Sequence, residues 1–143
     1  MRRIPALLVL ATLLACGGSD ATSPPNQTKG AAFSGTYVLQ SVNGKSLPYT
    51  SYFAGDSLVI RSYSIAIGGS GSWTSTTSEL FTTNGVVTDQ PNGGQSGSYS
   101  YNASTKAVSL ISQDQSTYLS GTVSADFSTL TVSESTDLYV FKK

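Results

Sequence analysis

The chain has 143 residues, eight basic and eight acidic side chains, a single cysteine (Cys16) and no histidine. The lack of histidine excludes His-based triads, His metal sites and His general bases, and one cysteine cannot form an internal disulfide. No basic run occurs anywhere in the sequence, which argues against nucleic acid as a partner.

Arg2 and Arg3 give the chain a positive start, residues 4–15 form a mostly apolar run, and small residues follow. That is the three-part layout of a secretory signal peptide, and the run is too short to cross a bilayer as a helix. Its end, Leu13-Leu14-Ala15-Cys16, resembles the lipobox of bacterial lipoproteins. The resemblance implies cleavage before Cys16, diacylglycerol on its sulfur and usually acylation of the new amino group. Several acyl chains give stable attachment where one would be marginal. In such lipoproteins an Asp after the cysteine favours the inner membrane; Gly17 stands here, which points to the outer membrane if the host has one. Residues 16–32 are Gly, Ser, Thr, Pro and other small or polar types without apolar periodicity, and read as a tether behind the lipidated Cys16. The chain thus divides into a leader (residues 1–15), the tether (16–32) and one domain (33–143). Loss of Arg2 and Arg3 leaves six basic against eight acidic residues.

In the domain, charge is sparse, Ser and Thr exceed a quarter of the chain, and no apolar helical spacing is found. Such a composition predicts an all-β fold. Strands are expected over residues 34–42, 57–67, 72–83, 97–101, 106–112, 117–124, 129–134 and 138–143, with Asn43-Gly44, residues 68–71 and Asn84-Gly85 among the turns. Asp89-Gln90-Pro91-Asn92-Gly93-Gly94 reads as a polar loop without the spaced carboxylates of a calcium loop. Eight short strands joined by tight turns favour an antiparallel up-and-down barrel, with a β-sandwich as the alternative. Closure removes free edges from a sheet rich in Thr, Tyr and Val.

Leu58 and Ile60 share one parity, but Tyr63, Ile65 and Ile67 take the other, which predicts a β-bulge or a corner near Arg61-Ser62. A Ser-Gly-(Ser/Thr) pattern recurs at Ser34, Ser70, Ser96 and Ser120, each followed by an aromatic or β-branched residue. Its spacing is uneven, so it reads as glycine relieving crowding in successive hairpins rather than as a repeated ligand motif.

With the strands placed, Gly35-Thr36-Tyr37-Val38-Leu39, Ser41-Val42-Asn43-Gly44 and Leu47-Pro48 resemble the first strand and turn of lipocalin-like lipoproteins of the calycin type. Ser120-Gly121-Thr122-Val123, Leu130-Thr131-Val132 and Tyr139-Val140-Phe141 resemble their last strands. Tyr37 stands where lipocalins carry the Trp of Gly-x-Trp, and the chain is short for that group. A barrel of this size can fill its interior with its own side chains.

Neither a metal site nor a cofactor loop is expected; Gly68-Gly69-Ser70-Gly71 lacks the lysine of a phosphate loop. Carboxylate-pair catalysis stays open in principle through Asp56, Glu79, Asp89, Asp114, Asp126, Glu134 and Asp137, most of which sit at apparent turns or strand ends. Aromatic residues serve first as core. Tyr49, Tyr52 and Phe53, clustered after the first hairpin, and Trp73 are the candidates for lining a ligand site or covering a barrel mouth. The resulting expectation is an envelope lipoprotein, held to the membrane by acyl chains on Cys16, whose non-enzymatic module binds a small apolar molecule. The alternatives are a filled barrel that binds an envelope protein or inhibits one, and a hydrolase built on two facing carboxylates.

Overall fold

The computed structural model describes residues 33–143; the leader, Cys16 and the tether lie outside the described residues. The described residues form eleven strands and no helix: β1 (Gly35–Val42), β2 (Lys45–Ser46), β3 (Tyr49–Phe53), β4 (Asp56–Ile67), β5 (Ser72–Thr83), β6 (Val86–Gly93), β7 (Ser96–Tyr101), β8 (Ala107–Ser112), β9 (Tyr118–Val123), β10 (Thr129–Glu134) and β11 (Asp137–Lys142). All pairings are antiparallel. Eight strands close into a barrel in the order β1-β4-β5-β7-β8-β9-β10-β11 and back to β1. This is a small up-and-down barrel of lipocalin-like type, and the expected eight strands are its staves.

The other three strands are additions. β2 pairs briefly with β1, while β3 and β6 flank the long strands β4 and β5. β4 and β5 have 12 residues each. Only the end of β4 near Ile67 pairs with β1, and only the start of β5 near Trp73 pairs with β7. Their remaining halves run past the barrel mouth and, with β3 and β6, make a four-stranded extension. β6 includes Asp89–Gly93, so most of the segment expected to be a loop is strand. Pro91 is compatible with this because β6 is an edge strand and bulges at that point.

The parity switch is a bulge. The register of β4 against β5 shifts between Ile60 and Ser62, which leaves Arg61 as the extra residue. On one side of it Tyr63, Ile65 and Ile67 face the barrel interior; on the other Ile60 and Leu58 face the same way. The switch in apolar parity therefore keeps one continuous inner surface.

That surface is filled. Phe33, Tyr37, Ile65, Leu110, Leu130, Val132 and Phe141 are wholly buried. Phe33 plugs the end where β1 begins, stacked on Tyr101 at 5.3 Å and edge-on to Tyr99 at 5.4 Å. The Tyr37 hydroxyl donates to the carbonyls of Phe33 and Phe127 across the same end. Trp73 is also buried, and its indole N–H donates to the carbonyls of Ser98 at 3.0 Å and Ile111 at 3.2 Å. Two hairpin turns share one device. Asp114 accepts hydrogen bonds from Ser112 and Ser116, and Asp126 from Ser124 and Ser128. These bonds hold both carboxylates down to about 2.

Two glycines of the recurring pattern have close-approach roles. A Cβ on Gly97 would run into the Ile111 carbonyl, and one on Gly121 into the Thr131 carbonyl. Both obstacles are backbone of neighbouring strands and cannot swing away. Gly121→Ala is therefore expected to destabilise the domain by roughly 1–3 kcal/mol, read as a fall in Tm of about 4–8 °C per kcal/mol. An unchanged Tm would refute the close-packing role.

Candidate functional site

Along β5 the inward positions run Trp73, Ser75, Thr77, Glu79, and along β10 they run Leu130, Val132, Glu134. Strand alternation is kept in both cases, but inward chemistry changes from apolar to polar at the mouth. Barrel curvature brings these two strands to face each other. Between them opens a cleft of about 340 Å³, partly open to solvent. Glu79, Ser75 and Thr77 line one side with Leu58 and Ile60; Glu134, Tyr139 and Thr117 line the other, and Tyr63 lies between.

Both glutamates are half-buried, and neither has an ion-pair partner among the described residues. Burial pushes the Glu79 carboxyl above its ordinary range, and the charge of Glu134 adds to the effect. Burial likewise raises Glu134, followed by the nearby Asp137, its cross-strand neighbour. The two tyrosines are raised as well. For Tyr63 the causes are burial first, then Glu134 and Tyr139; for Tyr139, burial, then Asp137 and Glu134. Tyr63 is hydrogen-bonded to Ser75 and meets Tyr139 edge-on at 6.3 Å and Phe141 edge-on at 5.2 Å. Both phenols therefore stay neutral and present ring and hydroxyl to the cleft.

The four residues expected to line a ligand site are not brought together. Trp73 is 1% exposed inside the barrel, well below the mouth. Tyr52 (82% exposed) and Phe53 lie by the β3–β4 turn at the far tip of the extension, on opposite faces. Tyr49 is buried in the same cross-strand row as Ile60 and Glu79, and its hydroxyl accepts from the Asn43 amide at 3.3 Å. None of the four is among the residues that line the cleft. Glu79, Glu134, Tyr63 and Tyr139 line the cleft. A signal for the two glutamates exists in the sequence: each continues an inward-facing parity set by buried residues two or more positions away on its own strand.

Such a cleft has limited chemistry. No group of three or more acidic side chains converges among the described residues, so the pair by itself is not a metal cage. Hydrolysis by two carboxyls needs one held protonated and one ionised, through environments that push their pKa values apart. Here both are pushed the same way by burial. What the site offers is negative charge, half dried, next to neutral aromatic rings.

Comparison with known proteins adds no relative: no family model, no curated protein and no solved structure matches the chain.

Because a protonated carboxyl is cheaper to bury than a charged one, Glu79 and Glu134 withhold stability at neutral pH. That stability returns as pH falls through their raised pKa values. Glu79→Gln is thus expected to raise Tm at pH 7, with the difference from wild type vanishing near pH 4 and below. The turn carboxylates behave oppositely: Asp126→Asn is expected to lower Tm at pH 7 and to converge with wild type only near pH 2. Parallel Tm–pH curves for either variant would contradict the assigned environments.

Proposed function

We propose that the protein is a lipid-anchored binding module of the bacterial cell envelope, non-enzymatic, whose ligand is a small amphiphilic cation held in the mouth cleft. The observation that carries this reading is a pair of half-buried carboxylates without an ion-pair partner among the described residues, beside Tyr63 and Tyr139, at the place where the barrel's inner surface is not filled by its own core. A wholly apolar guest would strip water from both carboxylates and return nothing. A protonated amine compensates that loss, and a ring or alkyl body fits against Leu58, Ile60 and the tyrosine faces. This refines the expected small apolar ligand by giving it a charged head.

The lipobox resemblance at Cys16 supports the anchor, with acyl chains as the membrane contact and Gly17 in favour of the outer membrane. The described chain begins at Phe33, at the plugged end of the barrel opposite the cleft. Mass spectrometry of the mature N-terminus should find a triacylated or diacylated Cys16; a free thiol there would refute the anchor.

The binding reading predicts that phenethylamine, titrated into the protein and followed by NMR, shifts resonances of Glu79, Glu134, Tyr63 and Tyr139. Its neutral counterpart 2-phenylethanol should bind much more weakly. Glu134→Gln should weaken the amine about tenfold or more, the equivalent of about 1.4 kcal/mol. Equal binding of amine and alcohol would overturn the proposed ligand class. A second reading, a protein-docking module, draws on Tyr52, Phe53, Val86 and Val87, all exposed at the extension's tip.

A further inference from the structure

The cleft has two walls that differ in how firmly they are held. Glu134 and Tyr139 belong to the closed barrel, where every strand has a partner on both sides, and Tyr63 sits at its rim, between the Arg61 bulge and Ser64, the last residue of β4 paired with β1. Leu58, Ile60 and Glu79 belong to the extension, which has free edges at β3 and β6. Between the two walls, the ladders are interrupted along one line. β4 bulges at Arg61. β6 slips against β5 between Thr77 and Glu79, where Pro91 and Asn92 face the single residue Ser78, and Pro91 has no N–H to give the ladder. β1 leaves β4 at Ser64, and β3 joins it only at Ile60. β6 gives way to β7 across Gly94-Gln95. β5 alone crosses this line without an irregularity. A sheet joined to its neighbour by one regular strand, with bulges at the same level on both flanks, is built to bend there.

We propose that the extension is a lid that swings about β5 over the barrel mouth, and that the charges of Glu79 on the lid and Glu134 on the barrel hold it back until a cation lies between them. Closure shortens the distance between like charges in a partly dry space, where their repulsion is screened little. It also covers the inner face of the extension, where Leu58 and Phe81 are half-buried and Phe53 and Val86 exposed. The apolar face favours closure and the carboxylates oppose it. The groups facing Glu79 are Glu134, Tyr63 and Tyr139 from the barrel, with Asp137 acting on Glu134; the Arg61–Asp89 ion pair, 3.3 Å long, lies on the lid's other face. Only the trigger rests on the proposed cation ligand; the hinge stands on the ladder geometry.

The lid is tested by residual dipolar couplings of backbone N–H groups in the full chain at pH 7, without ligand, for wild type, Glu79→Gln and Glu134→Gln. Each variant removes repulsion from one wall with an isosteric side chain. The expected result is a concerted shift of the couplings of β3, β6 and the outer half of β4 in both variants, against unchanged couplings in β9, β10 and β11. Couplings that fit one rigid body in the same orientation in all three proteins would overturn the lid. Phenethylamine added to wild type should reproduce the variant shift. If the variants shift and the amine does nothing, the hinge stands and the cation falls as its trigger.

Discussion

The barrel closes through four residue pairs between β1 and β4, from Gly35↔Ile67 to Val38↔Ser64, and the rest of the molecule follows from where that ladder stops. Had β1 kept pace with β4 along its whole length, the wall would be continuous and the mouth narrow. Instead β1 turns away to pair with β2, and the outer half of β4 must find another partner, which β3 supplies. β5 undergoes the same change of partners from β7 to β6. A closed barrel leaves no edge, whereas a sheet that outruns its barrel regains two. The short hairpin β3–β4 and the proline-containing β6 are what those edges carry.

Closure also decides where polarity is tolerated. Inside, Phe33 at one end and Trp73 higher up fill the space, and the polar atoms of Tyr37 and Trp73 are satisfied on backbone carbonyls. Only at the mouth do inward positions become Ser75, Thr77, Glu79, Thr117 and Glu134. A carboxylate placed one layer lower would face a dry core at prohibitive cost; one layer higher it would face water and be ordinary. At this level both glutamates are half-dried, which raises their proton affinity and leaves their charge strongly felt. The site thus sits at a boundary between packed core and solvent, and that boundary is a consequence of the barrel's length.

Much of the architecture was legible from the residues. The eight barrel strands were marked by Gly, Asn and Ser punctuation, and the bulge at Arg61 by the change of apolar parity between Ile60 and Tyr63. β3 and β6 were not, for a physical reason: each is an edge strand with one partner, so each lacks the apolar alternation that a half-buried strand imposes. Asp89, Pro91 and Asn92 are loop formers by propensity, and only pairing with β5 holds them extended. The site was harder still. Which two of seven acidic residues meet depends on closure bringing β5 opposite β10, strands separated by three others around the wall. Aromatic clustering in sequence pointed to Tyr49, Tyr52 and Phe53, whereas the two cleft glutamates are marked by a charged residue at an inward parity.

Glu79 and Glu134 share one partly dry cleft, and no cation among the described residues pairs with either. Side-chain carboxyl NMR titration of both glutamates in the ligand-free protein tests this most directly. Both midpoints are expected above the ordinary glutamate value of 4.5, and Glu134→Gln is expected to lower the midpoint of Glu79. Midpoints at or below that value, or a Glu79 titration indifferent to residue 134, would contradict it.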